Sequence, residues 1–150
     1  PGELRFQMVK TAISSNSHFT CSDIEIKRTG NSYTYETLEE LRKLYPEAEL
    51  FFILGADNLF SIEKWRCAEK VFKECTLIAA SRGEVVFDSL KKQADSLKET
   101  YQANVILLPE RKMDISSTEI RERILNSQSV RYMMPEGVCN YIFERELYSD

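Results

Sequence analysis

Three short apolar runs, ELFFILGA over 49–56, CTLIAAS over 75–81 and NVILLP over 104–109, are separated by stretches whose apolar residues recur at helical spacing. A run that stays apolar without alternating suits a strand covered on both faces, as strands of parallel sheets are. ELFFILGA in particular reads as a buried central strand. Strands separated by helices, over and over, imply parallel pairing through right-handed crossovers. The expected architecture is therefore α/β: an open, mostly parallel sheet with helices on both faces. Such sheets bind ligands beyond the carboxyl ends of their strands, where the strand order switches.

The remaining segments fit around these runs. Residues 3–15 place Leu4, Met8, Val9, Ala12 and Ile13 on one side of an amphipathic helix. FTCSDIEIKR (19–28) alternates Ile24 and Ile26 with charges and reads as a half-exposed strand. YETLEELRKLYP (35–46) returns to helical spacing through Leu38, Leu41 and Tyr45, with Thr34 as N-cap and Pro46 as stop. A helix is expected around FSIEKWRCAEKVFKE (60–74), and another through Leu90, Ala94, Leu97 and Tyr101. Two more close the chain, one from Ser116–Thr118 and one near Pro135, a residue suited to a first helical turn. With no internal repeat or linker-like tract, residues 1–150 read as one domain.

Composition narrows the function classes. An apolar content of 43% with 29% charged residues is that of an ordinary globular chain. No window approaches the roughly eighteen unbroken apolar residues of a membrane span, and PGELRFQMVK lacks a secretory core. A net charge of -4 argues against nonspecific binding of nucleic acid. Cys21, Cys67, Cys75 and Cys139 show neither C-x-x-C spacing nor a nearby histidine, which points to reduced thiols in a cytoplasmic protein and to no metal site. His18, the single histidine, has no acidic or nucleophilic neighbour in sequence.

Four strand ends carry residues with chemical potential. In ISSTEIRERI (115–124), Ser116 and Glu119 fit a capping box. Three hydroxyls in a row, Ser116, Ser117 and Thr118, exceed what one cap requires, and Arg121 follows within the first turn or so. Helix N-termini attract phosphate oxygens, and a guanidinium can hold phosphate through two hydrogen bonds. In FILGADNLFSIEKW (52–65), Gly55 lets a ligand or backbone approach, Asp57 suits either a ribose or a helix cap, and Trp65 suits either core packing or stacking on a ring. In RTGNSYTYETL (28–38), a Gly30–Asn31 turn leads into Ser32, Tyr33 and Thr34, which serve as a cap or bind a carboxylate. Arg82, in AASRGE, is either an anion partner or a solvated charge.

Taken in order, SYTYETL, FILGADNLFSIEKW, SRG, ISSTEIRERI and VCNYI closely resemble the bacterial nicotinate-nucleotide adenylyltransferases, over nearly the whole chain. The I-S-S-T-x-x-R pattern belongs to a wider nucleotidyltransferase superfamily with a Rossmann-like fold. S-Y-T combined with G-A-D and a downstream tryptophan is more specific to the nicotinate-nucleotide branch. The resemblance implies transfer of the adenylyl group of ATP to nicotinate mononucleotide, assisted by Mg²⁺, in NAD biosynthesis. It implies that Ser116, Ser117, Thr118 and Arg121 hold the ATP phosphates and that Gly55 and Asp57 lie against adenosine. It places Trp65 near the nicotinate ring, Tyr33 and Thr34 at the ring carboxylate, and Arg82 near the mononucleotide. ATP and nicotinate mononucleotide are thus the expected partners, with no nucleic acid or membrane, and a homo-oligomer is left open.

Three features depart from that pattern. The G-x-F-x-P-x-H-x-G-H stretch whose glycines and histidines bind triphosphate is not among these residues, so no catalytic residue is assigned and the first strands of the fold are expected upstream. Arg66 stands beside Trp65 where relatives often carry an aromatic residue or histidine, and SRGE replaces the usual R-P-G. Residues 1–150 alone are accordingly expected to be nearly inactive, with exposed sheet edges and apolar surface where a neighbouring strand is wanting. A non-catalytic nucleotide-binding module stands as the alternative of a different class. Within the enzyme class the alternatives are adenylyltransferases for nicotinamide mononucleotide or phosphopantetheine.

Overall fold

The computed structural model describes residues 1–80, 87–108 and 115–149. The chain divides into two compact units, residues 30–113 and residues 1–29 with 114–150.

The first of these units is built on a parallel sheet of three strands, β1 (Phe51–Gly55), β2 (Thr76–Ala80) and β3 (Val105–Leu108), in that spatial order. All three expected apolar runs form strands. In register, Phe52 aligns with Leu77 and Leu77 with Val105, while Ile53 aligns with Ile78 and Ile78 with Ile106. Because strand residues alternate between faces, the first row lies on one side of the sheet and the second on the other. Helices α3 (Ala56–Ser61) and α5 (Phe87–Tyr101) pack on the strands. The buried cluster gathers Leu54, Leu59, Ile62, Val71, Leu77, Leu90 and Leu97.

ELFFILGA is not buried on both faces. β1 is an edge strand among the described residues, and Phe51, Ile53, Ile106 and Leu108, from one side of the sheet, are substantially exposed. Ile53 is the most open of them at 69%. An unbroken apolar run therefore marks the strand correctly without fixing its place in the sheet.

Helix α2 (Thr34–Leu44) starts one residue before the run read from sequence and ends as Pro46 requires. Its N-cap is Tyr33, in extended conformation, rather than Thr34, which is the first helical residue. The expected helix over 60–74 is interrupted: a single 3₁₀ turn (Ile62–Lys64) follows α3, and α4 begins only at Ala68 and runs to Glu74. Trp65 is extended at φ −70° and ψ 150°, and Cys67 adopts a left-handed φ of 53°. That region is costly for residues with a Cβ, so surrounding packing imposes the break. Two ion pairs fasten α2 to α4: Lys70 Nζ to Glu39 Oε1 at 2.6 Å and Arg42 Nε to Glu74 Oε2 at 3.3 Å. Arg42 also donates to the main-chain carbonyls of Glu74 and Ala48.

In the other unit, α1 (Gly2–Ile13) packs against α7 (Glu136–Glu144). A Cβ at Gly137 would lie 3.0 Å from Thr11 Cγ2, so glycine permits this close approach. Met8 and Ala12 turn toward a core of Ile124, Val130, Val138 and Ile142, whereas Val9 stays half exposed. FTCSDIEIKR forms no strand. The Asp23 carbonyl accepts from the N–H groups of Ile26 and Lys27, closing one turn that the Lys27–Asp23 ion pair at 2.9 Å reinforces. Alternating isoleucines fit that turn as readily as a strand.

All four cysteines are free thiols. Cys75 is buried, its Sγ donates to the Val71 carbonyl at 3.3 Å, and burial pushes the thiol up to about 11. Cys67 is exposed. Since the thiolate is the reacting species, iodoacetamide at pH 8 should label Cys67 at least about a hundredfold faster than Cys75. Peptide mass spectrometry over a labelling time course reads both sites, and equal rates would contradict the assigned burial.

Candidate functional site

Tyr33, Thr34 and Trp65, predicted from sequence to act together, do come together. With Ser32 and Arg66 they line a pocket of about 280 Å³. The interruption before α4 makes this geometry. Extended backbone at Trp65 and the left-handed turn at Cys67 carry residues 65–66 out of helical register, toward the start of α2. Trp65 is half-buried and meets Phe52 edge-on, with ring centroids 6.1 Å apart. It packs against the core on one side and lines the pocket on another. Tyr33 stacks on Tyr35 at 6.1 Å.

Arg66 was noted from sequence only as a departure, and the structure brings it into the pocket. Its guanidinium carbon lies 4.7 Å from the centroid of the Tyr33 ring, a cation–π distance. A hydrogen bond from Arg66, then one from Asn31, then the Arg66 charge hold the Tyr33 phenol below its usual value. The same phenol contact, with the Tyr33 and Tyr35 charges adding to it, raises Arg66. Adjacency to Trp65 was the only hint of this in the sequence.

Gly55 caps α3 with extended backbone, at φ −74°, and a Cβ there would meet nothing within 4 Å. The glycine is thus not demanded by strain or by protein packing, and space beside it is open. Asp57 is exposed in the first turn of α3, two positions past the Gly55 cap. That removes the structural reason for an acid there beyond a favourable helix-dipole position.

In the other unit, α6 (Ser117–Leu125) begins at the Ser-Ser-Thr cluster. Ser116 is the N-cap, its Oγ accepting from the Glu119 N–H at 3.1 Å. The Glu119 carboxylate pairs with Arg123 at 2.9 Å, so only the hydroxyl half of the expected capping box is found among the described contacts. Ser116, Ser117 and Thr118 are all exposed. Arg121 donates to Thr118 Oγ1 at 3.4 Å and has no carboxylate partner among the described residues. Arg82 lies outside the described residues. Among those that are described, no three His, Cys, Asp or Glu side chains gather as metal ligands, and no helix is long and apolar enough to cross a membrane.

Comparison with known proteins decides the family. Residues 1–123 match the cytidylyltransferase-like family. The probable nicotinate-nucleotide adenylyltransferase of Lachnoclostridium phytofermentans is 42% identical over 146 residues, spanning 97% of this chain and 73% of that protein. A counterpart from Clostridium botulinum is 43% identical over 147 residues, spanning 98% and 72%. The chain belongs to the nicotinate-nucleotide adenylyltransferase family. Its fold also matches solved structures of Plasmodium falciparum nicotinic acid mononucleotide adenylyltransferase, complexed with APC and with NaAD. The first aligns with a TM-score of 0.72 at 22% identity, covering 97% of this chain and 75% of the other. In this member of the family, Ser32, Tyr33, Thr34, Trp65 and Arg66 share one pocket, and three exposed hydroxyls stand at the start of α6.

Proposed function

We propose that the intact protein transfers the adenylyl group of ATP to nicotinate mononucleotide, releasing pyrophosphate, as a step of NAD biosynthesis in the bacterial cytoplasm. The observation that carries this reading is the pocket itself. In a chain 42% identical to a probable nicotinate-nucleotide adenylyltransferase, an indole, a threonine hydroxyl and a tyrosine line one cavity, the groups that stack on and hydrogen-bond to a small aromatic acid.

The phosphate oxygen of the mononucleotide attacks the α-phosphorus of ATP. The new P–O bond forms as the bond to pyrophosphate breaks, with no covalent enzyme intermediate. Catalysis of this type rests on alignment and on stabilising charge at the transferring group. Ser116, Ser117, Thr118 and Arg121 hold the triphosphate, supported by three exposed hydroxyls and a guanidinium without a carboxylate partner among the described residues. Gly55 and Asp57 take the adenosine portion, supported by open space at one and the exposed carboxylate of the other. Trp65 stacks on the pyridine ring, Tyr33 and Thr34 meet its carboxylate, and Arg82 attends the mononucleotide. The described residues offer no protein cage for Mg²⁺. The ion is read as part of the MgATP substrate, as magnesium commonly arrives on phosphates.

Chromatographic detection of the dinucleotide product tests the proposal. Supplied with ATP, the intact protein should adenylylate nicotinate mononucleotide faster than nicotinamide mononucleotide and leave phosphopantetheine unchanged. Turnover of phosphopantetheine, or of no acceptor, would sink it.

A further inference from the structure

The pocket at the start of α2 holds one formal charge. Of its lining side chains, Ser32, Tyr33, Thr34 and Trp65 are neutral and Arg66 is cationic. Tyr33 holds this guanidinium in place through its ring face, at 4.7 Å, and through its phenol. Neither contact neutralises it. Among the described residues no carboxylate pairs with Arg66, and the acid near Tyr35, Glu36, accepts from the Tyr35 hydroxyl at 3.0 Å. A guanidinium carries five donors in a planar fork, so a stacked face and one phenol leave edge donors for an anion.

We propose that Arg66 is a specificity-determining residue: held against Tyr33 in the wall of this pocket, its guanidinium pairs with the carboxylate of a bound pyridine ring and selects the acid over the corresponding amide. This deepens the proposed function and rests on it for the identity of the substrate. An amide presents the same ring and the same shape to Trp65 but no charge to Arg66. Discrimination therefore comes from the ion pair, and solvent exposure of Arg66 limits it to about tenfold. Ring stacking and the hydroxyl contacts treat the two ligands nearly alike.

Arg66→Met and Arg66→Lys in the intact enzyme provide the test, with thermal melting to confirm that each variant folds. Arg66→Met should lower the ratio of kcat/KM for nicotinate mononucleotide to that for nicotinamide mononucleotide about tenfold, through KM of the acid, with KM for ATP unchanged. Arg66→Lys should restore part of the ratio, because the charge returns without the fork. An unchanged ratio in a folded Arg66→Met enzyme overturns the proposal. Should the wild-type enzyme turn over neither mononucleotide, the proposed function fails and Arg66 is judged by binding alone. Trp65 is the sole tryptophan of the chain, and nicotinate should quench its fluorescence at lower concentration in the wild type than in Arg66→Met. Superimposable titrations would then reject the role for Arg66.

Discussion

Thr118→Val combined with Arg121→Ala lowers kcat/KM for ATP by about two to four orders of magnitude in the intact enzyme. Each group offers a hydrogen bond to a charged ligand, a contact that contributes about 1.5–3 kcal/mol, and each 1.4 kcal/mol or so is a decade of rate. What makes the prediction specific is the contrast between two arginines on one helix. Arg123 is already committed to Glu119 at 2.9 Å, whereas Arg121, among the described residues, donates to the Thr118 hydroxyl at 3.4 Å and pairs with no carboxylate. Arg123→Ala removes an exposed i,i+4 pair and should cost less than about 1 kcal/mol of stability, with kcat/KM for ATP unchanged. Steady-state kinetics at varied ATP separates the two arginines. If the double variant keeps wild-type turnover, the hydroxyl cluster is a helix start and nothing more.

Much of this molecule was legible because its signals are local. The runs at 51–55, 76–80 and 105–108 form strands, since buried backbone pairing needs apolar side chains over a short distance whatever the partner. The family resemblance likewise led to Tyr33, Thr34 and Trp65, which share a pocket. The misreadings concern properties set by the rest of the fold. Helical periodicity continues through 60–74, yet Cys67 at φ 53° breaks the helix, and no residue type there announces a left-handed turn as glycine would. Thr34 is a better capping residue than Tyr33, but the chain enters α2 one residue earlier, and Tyr33 instead engages Arg66. Arg66 belongs to the pocket only because that break turns it toward α2. Whether a strand lies at the centre or edge of a sheet depends on its neighbours, so β1 could be identified but not placed.

The placement of β1 leads to the largest expected effect on stability. Leu77 lies on the central strand, between Phe52 and Val105 in register, and is fully buried. Its N–H donates to the Asn104 carbonyl at 2.8 Å, so the backbone is held and cannot collapse freely into a void. Truncating a leucine in such a site leaves a cavity, and Leu77→Ala should cost about 3–5 kcal/mol. Ile53 occupies the neighbouring strand on the opposite side of the sheet and is 69% exposed. Ile53→Ala in residues 1–150 should cost less than about 1 kcal/mol, since little surface leaves water there on folding. Urea titration followed by Trp65 fluorescence compares the two directly, because Trp65 packs edge-on against Phe52 in the same core. A shifted midpoint at constant slope for Leu77→Ala, beside a nearly unmoved one for Ile53→Ala, would establish that only one side of this sheet is sealed by its own helices. Equal costs would mean that both sides are covered in solution, and β1 would then be a central strand as its apolar run suggests.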